Sequence, residues 1–206
     1  LIGTLYFAIP GNLATRSGGY GYDRRMIAEL GALGWQVDHL PLPGGFPQPD
    51  AAVLAETARL LAGLPDGALV LVDGLAFGAL PEIAAAEAER LRLVALVHHP
   101  LALETGLDPA TAAELAASER RALGFAREVV TTSPTTAQEL VANFAVTDDR
   151  LSVVVPGTEA AARAQGSGDV PTILSVGSLI ARKDHATLVD ALARIRDLSW
   201  HCRIVG

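Results

Sequence analysis

Short apolar runs recur along the chain and alternate with longer stretches of mixed character. Brief runs rich in Val, Leu and Ile indicate strands, whereas an apolar repeat every three to four residues indicates helices. The pattern predicts strands at residues 4–9, 35–40, 69–72, 91–97, 128–132, 151–155, 172–176 and 200–205. It predicts helices at residues 20–33, 50–62, 79–90, 109–123 and 134–143, and another after residue 183.

The alternation of strands and helices at this spacing is typical of an α/β fold with a doubly wound parallel sheet. Residues 69–72 are apolar at every position, as in strands that are covered on both faces. Ligands of such sheets bind beyond the carboxyl ends of the strands. Functional residues are therefore expected in the loops after Ile9, Val72, Val97, Val130, Val155 and Val176.

A change of composition divides the chain in two. Residues 160–169 are small and polar and include two glycines, which is typical of a linker. We therefore expect one domain at residues 1–165 and the start of a second at residues 166–206. The chain begins close to a strand, carries its only methionine at Met26 and stops at Gly206 after another strand, so we expect it to be part of a longer protein.

Composition and charge narrow the function classes. The 206 residues are 50% hydrophobic and 19% charged, which is enough apolar material for a core. A net charge of −7 argues against nucleic-acid binding, which normally needs a basic surface. The single Cys202 excludes an internal disulfide and a cysteine-rich metal site, and together with the lack of a signal peptide it favours the cytoplasm. No apolar run is long enough to span a bilayer, although peripheral membrane contact stays open.

The first candidate site is a glycine-rich loop between the first strand and the first helix. Gly18 and Gly19 would let a phosphate or a sugar approach the backbone closely. The run Gly19-Tyr-Gly21 also begins a dinucleotide-binding fingerprint, but Arg24 occupies the place of its third glycine. A dinucleotide oxidoreductase, with Asp38 as the ribose-binding acid, is therefore a weaker alternative, and an ordinary turn is another.

The second candidate site follows the fourth predicted strand. His98 and His99 are neighbours in extended chain, so their side chains should point in opposite directions and cannot chelate one metal ion together. We expect one imidazole to enter the ligand cleft, as a hydrogen-bonding group or as an acid or base, and the other to pack. Glu104 in the same loop is a candidate substrate contact. The competing interpretation is a satisfied histidine and a solvated glutamate.

The third candidate site lies between a strand and a helix near the chain terminus. Gly177 exposes backbone there, and Arg182 and Lys183 precede a helix on which Leu188, Leu192 and Ile195 should share a face. Cations are unfavourable at a helix N-terminus, so an anionic ligand would compensate them. The competing interpretation is that both cations are merely solvated.

Motifs of several enzyme classes are missing from the sequence. There is no Gly-x-Ser-x-Gly elbow, no Walker phosphate loop and no His-Glu-x-x-His. Serine hydrolases, P-loop nucleotidases and zinc proteases therefore lose support.

The ordered set of these motifs resembles the family 4 glycosyltransferases. Residues 175–185 resemble the opening of the C-terminal domain of that family, and the Gly18–Gly19 loop, the His98 loop and residues 155–158 resemble its N-terminal domain. The resemblance implies a two-Rossmann enzyme of the GT-B type, with a Rossmann-like acceptor-side domain followed by the truncated start of the nucleotide-sugar-binding domain. It also implies sugar transfer, of the hexosyltransferase kind, from a nucleotide-diphosphate sugar with retention of anomeric configuration.

The same resemblance assigns roles by position. Lys183 would contact the donor diphosphate, with Gly177 beside it, and Gly18 and Gly19 would approach the phosphate or the transferred sugar. His98 would lie near that sugar as the catalytic residue. Ser178 stands where the family often has an arginine, so Arg182 is a candidate substitute, and Asp184 replaces a common glycine.

The resemblance implies no cofactor and no metal ion, because a lysine and backbone amides can neutralise the leaving group. The family's paired glutamates should lie beyond Gly206, so the chain alone is expected to be inactive, with residues 156–171 near a hinge. The acceptor, whether saccharide, lipid or small molecule, is not identified. Two alternatives remain open, namely a nucleotide-sugar epimerase of the same fold and a non-catalytic sugar- or nucleotide-binding module.

Overall fold

A computed structural model describes residues 2–166 and 168–206. The contacts divide the chain into two units, the first ending at Pro156 and the second running from Gly157 to Gly206. Described residues between 154 and 171 belong to no helix or strand, and Ser167 of the predicted linker lies outside the described residues. The boundary expected between residues 165 and 166 stays a prediction.

The first unit is built on a parallel six-stranded sheet. Its strands in chain order are β1 (Thr4–Pro10), β2 (Gln36–Leu42), β3 (Leu69–Asp73), β4 (Arg92–Val97), β5 (Glu128–Thr131) and β6 (Leu151–Val153). They lie in the spatial order β2-β1-β3-β4-β5-β6, and every neighbouring pair is parallel. The predicted α/β class with a Rossmann-like, doubly wound sheet is confirmed. All eight predicted strands form, with ends that differ by at most two residues.

Helices connect the strands and cover the sheet. They are α1 (Gly18–Ala32), α2 (Ala51–Ala62), α3 (Gly74–Phe77), α4 (Pro81–Glu87), α5 (Pro109–Leu123) and α6 (Pro134–Asn143). Side chains at the residues before α2, α5 and α6 cap the first-turn amides: Asp50, Asp108 and Ser133. No helix of the described chain is both long and apolar enough to cross a membrane.

One predicted helix is wrong in extent. A helix is expected at residues 79–90, but the structure has only the two-turn α4 there. The four-residue α3 precedes it. Pro81 sets the start of α4, because a proline disfavours helical geometry in the residue before it, and Leu80 has an extended φ of −120°.

Side chains of alternating strand residues form two apolar layers, one on each face of the sheet. Leu5, Phe7 and Ile9 of β1 and Leu71 of β3 pack on one face together with Leu96 of β4. Apolar residues of α1 cover that face, among them Tyr20, Tyr22, Met26, Ile27 and Leu30. The intervening strand residues pack on the opposite face against α2 and α4, which include Leu61 and Ala84. The burial on both faces explains why residues 69–72 of β3 are all apolar.

The second unit contains parallel strands β7 (Thr172–Val176) and β8 (His201–Val205), joined through α7 (His185–Ala193). Of the predicted apolar face, Leu192 is buried, whereas Ile195 follows the end of the helix. Several large apolar side chains of this unit are exposed, including Leu174, Val176 and Leu179. Little of this unit is therefore buried.

Candidate functional site

The register of the central strands brings two distant side chains together. Asp73, the last residue of β3, is paired with Leu96 of β4, so both side chains point to the face that α1 covers. His98 follows Leu96 by two residues, just beyond the end of β4, and its Nε2 lies 3.8 Å from Oδ2 of Asp73. The carboxyl ends of β3 and β4 thus place an acid beside an imidazole.

The helix α1 supplies a third group. Its first turn is capped by Ser17, whose hydroxyl accepts the amide hydrogen of Tyr20 at 3.2 Å. The Tyr20 hydroxyl donates to the carbonyl of Pro10 at 2.8 Å and joins the helix to the end of β1. Arg24 is exposed and donates to the carbonyls of Leu13 and Thr15, so it closes this loop from the solvent side. Asp23 is fixed on the buried side of the same turn.

The three groups form one compact cluster. Nε2 of His98 lies 3.3 Å from Oδ1 of Asp23 and 3.8 Å from Oδ2 of Asp73. Oδ1 of Asp73 accepts the amide hydrogen of Leu75 at 2.7 Å. The ring of Tyr22 meets the imidazole edge to face, with centroids 5.1 Å apart and planes at 82°. Asp23 is 0% exposed and Asp73 is 4% exposed, so both carboxyl groups are outside bulk water.

Burial changes the protonation of this cluster. Loss of solvent, and then the nearby Asp23 charge, raise the pKa of Asp73 to about 7, and a hydrogen bond between the two carboxyl groups adds to the effect. His98 and the Leu75 amide oppose the rise. Burial, with the charges of both aspartates, also raises the pKa of Tyr20, and burial with the charge of Asp23 raises that of Tyr22. The phenols therefore stay neutral and can donate hydrogen bonds.

The cluster also has the ligand types of a cation site. In the part of the chain that the structure describes, one group of three potential metal-ligating residues has ligand atoms within 4.8 Å of one another. Its members are Asp23, Asp73 and His98. Most of these atoms already have partners, because Oδ1 of Asp23 meets Nε2 of His98 and Oδ1 of Asp73 accepts from Leu75. Oδ2 of Asp23 has no hydrogen-bond partner in the described structure, and Nε2 of His98 faces both carboxyl groups.

A cleft of about 250 Å³ opens above the cluster. Its walls combine polar groups with tyrosine, proline and leucine surfaces, the mixed lining that is typical of small-molecule sites. The lining residues are Ser17, Gly19, Tyr20, Pro47, Asp73, Leu75, His98, His99, Pro100, Leu101 and Glu104.

Four of the predicted site residues belong to the first unit, and three of them line this cleft. These three are Gly19, His98 and Glu104. A Cβ on Gly19 would lie 3.7 Å from the His98 ring, whereas one on Gly18 would meet nothing within 4 Å. The expectation that the second histidine packs is wrong, since His99 is exposed and lines the cleft as well. The short helical turn that follows Pro100 redirects the chain, so strict alternation ends with β4.

A buried glutamate on α5 anchors the wall of the cleft. Oε2 of Glu119 accepts the amide hydrogen of Leu101 at 2.8 Å, while its Oε1 has no hydrogen-bond partner in the described structure. Burial raises the pKa of Glu119 to about 7. The neighbouring Ser118 donates to the carbonyl of Gly78 at 2.8 Å. The loop that carries His98 is thus tied to α5.

The remaining predicted residues belong to the second unit. A Cβ on Gly177 would lie 3.5 Å from Cε of Lys183, so the lysine stem lies over the glycine. Arg182 and Lys183 form a short 3-10 turn before α7. Asp184 has a left-handed backbone, with φ of 46°, which explains why glycine is common there, and its carboxylate caps the amide of Thr187 at 3.3 Å.

Sequence reasoning missed the two buried carboxylates and Glu119. Asp73 directly follows an apolar strand, so the rule on strand ends points to it, but no comparable local signal marks Asp23 or Glu119. The weaker ribose candidate, Asp38, lies inside β2 and accepts from the side chain of Gln36 at 3.2 Å, away from the end of its strand.

Comparison with known proteins adds a likeness of fold. No protein-family model matches the chain, and no curated protein matches it. Among solved structures, a glycosyltransferase from Rickettsia africae ESF-5 superposes with a TM-score of 0.64 at 17% sequence identity. The match covers 98% of this chain and 60% of that protein, so this chain spans less than two thirds of its length. The chain therefore has a Rossmann-like α/β fold of the kind found in that glycosyltransferase.

Proposed function

We propose that the chain belongs to a glycosyltransferase that transfers a sugar from a nucleotide-diphosphate sugar to an acceptor hydroxyl. The observation that carries the proposal is the cleft at the carboxyl ends of β3 and β4, where His98 lies between two buried carboxyl groups. This is the position at which parallel α/β sheets bind their ligands. The likeness in fold to a glycosyltransferase supports the assignment.

In this proposal the second unit holds the leaving group. Breaking the bond between the anomeric carbon and the diphosphate oxygen leaves negative charge on the nucleotide diphosphate. Lys183, whose stem lies over Gly177, would neutralise that charge together with backbone amides, an electrostatic contribution that needs no metal ion. Arg182, in the same turn as Lys183, would be a further donor contact.

The first unit would hold the reacting sugar and the acceptor. Gly18 and Gly19 would admit the sugar close to α1, and His98 and Glu104 would hydrogen-bond its hydroxyl groups. The new bond joins the acceptor oxygen to the anomeric carbon, and the acceptor proton passes to the departing diphosphate. The proposal also includes finer points. These are retention of configuration, the GT-B arrangement, membership of family 4, hexosyl transfer and a cytoplasmic location.

The proposal predicts which donor contact matters most. In the full-length gene product, Lys183→Ala should lower the turnover of the preferred donor by about 10²- to 10³-fold, the usual effect of losing one group that stabilises developing charge. Release of nucleotide diphosphate from UDP-, GDP- and ADP-sugars, with and without EDTA, measures this effect. Arg194→Ala is the matched control, because Arg194 is an exposed cation at the other end of α7.

The outcomes separate the competing functions. Release that needs an acceptor, persists in EDTA and fails only in Lys183→Ala supports a transferase. A changed sugar with no released diphosphate would indicate an epimerase. Neither turnover nor binding across the panel would contradict the proposal and indicate a non-catalytic module.

A further inference from the structure

We propose that Asp23 and Asp73 share one proton and act as positioning residues for His98, with Asp23 holding Nε2 so that Nδ1 faces the ligand. The inference rests on the proposed function only in naming a sugar hydroxyl as the group that Nδ1 meets. The arrangement of the three side chains can be tested without any sugar.

The imidazole is fixed on one edge. Nε2 of His98 is 3.3 Å from Oδ1 of Asp23, a long but usable hydrogen bond, and the ring packs edge to face on Tyr22. Nδ1 makes no hydrogen bond within the described structure, and the ring, 24% exposed, lines the cleft. With the hydrogen held at Nε2, the neutral ring presents Nδ1 as an acceptor.

The carboxyl pair cannot hold two negative charges without compensation. Asp23 and Asp73 are buried, and no lysine or arginine in the described ranges forms an ion pair with either. Oδ2 of Asp23 is buried and has no donor in the described structure. One proton kept on the pair removes a charge and supplies the missing donor, as in other close carboxyl pairs.

The surroundings favour a proton on Asp73 rather than on Asp23. Burial and the neighbouring Asp23 charge raise the pKa of Asp73, and Asp23 is the closer carboxyl group to Nε2 of His98, at 3.3 Å against 3.8 Å. Tyr20 and Tyr22 face the cluster from α1, and His39 lies near Asp23 from β2, but none of these groups is a fixed cation. The remaining negative charge therefore sits on the carboxylate that anchors the imidazole.

Nuclear magnetic resonance on the ligand-free chain tests this arrangement. In protein with labelled histidine and aspartate side chains, we expect an exchange-protected Nε2–H signal from His98, assigned by its loss in His98→Gln. We also expect one aspartate carboxyl carbon, that of Asp73, to titrate with a midpoint near 7.

Two isosteric variants distinguish the roles of the two carboxyl groups. Asp73→Asn mimics the neutral acid, so it should keep the protected Nε2–H signal. Asp23→Asn removes the anionic acceptor, so it should weaken that signal and speed its exchange with water. Two carboxyl groups that are both ionised at pH 6, or an Nε2–H signal unchanged in Asp23→Asn, would overturn the proposal. If Asp23→Asn does not fold, the wild-type titration and Asp73→Asn still decide.

The outcome of the resonance experiment does not depend on whether the proposed function is correct. A protected Nε2–H signal in a protein that consumes no sugar nucleotide would keep the positioning role and remove the transferase. If the transferase is correct, Asp23→Asn should lower kcat by about 10²-fold, the cost of a misplaced group, with little change in KM. An equal loss in Asp73→Asn would contradict the assigned difference between the two carboxyl groups.

Discussion

Replacing Gly74 by alanine should destabilise the protein by about 3 kcal/mol, at the upper end of the usual cost of overpacking a core. A Cβ at this position would lie 2.7 Å from the carbonyl oxygen of Leu96 and 3.1 Å from Cα of Val97. Both atoms belong to the backbone of β4 and cannot rotate away. Because Gly74 follows Asp73 directly, relief of the clash would also separate Asp73 from His98.

Thermal or urea unfolding of Gly74→Ala and Gly31→Ala measures this effect. Gly31 is the control because it is helical and its Cβ would meet nothing within 4 Å. Alanine there should stabilise the protein by about 0.5–1 kcal/mol, since glycine is a poor residue in a helix. Equal stability of the two variants would show that the start of α3 does not contact the backbone of β4 at Gly74.

Stability should fall as the pH rises from about 5 to about 8. In the folded protein burial raises the pKa of Asp73 and of Glu119 to about 7, from ordinary values of 3.8 and 4.5. Between these limits the folded state binds more protons than the unfolded state, so each rise in pH favours unfolding. Each group should remove on the order of 3 kcal/mol across the interval, and the loss should level off above the folded pKa.

Urea unfolding at several pH values, with Asp73→Asn and Glu119→Gln, tests the origin of the slope. Each variant should flatten the dependence of unfolding free energy on pH, because its amide cannot ionise. Glu114→Gln, a change at an exposed position of the same helix as Glu119, should keep the wild-type slope. A stability that rises from pH 5 to pH 8 would contradict the buried, protonated state of these two acids.

The hydrophobic pattern predicted the strands well, for a physical reason. A strand of a parallel sheet is covered on both faces, so β3 and β4 appear as apolar runs that glycines and polar residues delimit. Local capping signals were also reliable, because an N-cap such as Asp50 bonds an amide only three residues away. The failure at residues 79–90 came from Pro81, whose effect on the preceding residue outweighed the helical pattern.

The cluster was only partly predictable. His98 and Gly19, which line the cleft, lie where the rule that ligands bind beyond strand ends predicts a site. Asp23 contacts His98, which is 75 residues away in sequence. From sequence alone, a single acid inside an amphipathic helix would be interpreted as a solvated side chain. Its burial depends on the sheet order, which places β1 next to β3 and β3 next to β4. Sequence periodicity does not determine that order.

The most direct test of the account is donor turnover in the full-length gene product after His98→Gln, with His201→Gln as the control. His201 is an exposed histidine at the amino end of β8, far along the chain from the carboxyl ends of the strands that carry the cleft. We expect kcat/KM for nucleotide-diphosphate release to fall by about 10²-fold or more in His98→Gln and to stay near wild type in His201→Gln. Wild-type turnover in His98→Gln would show that the cleft between β3, β4 and α1 is not the site of transfer.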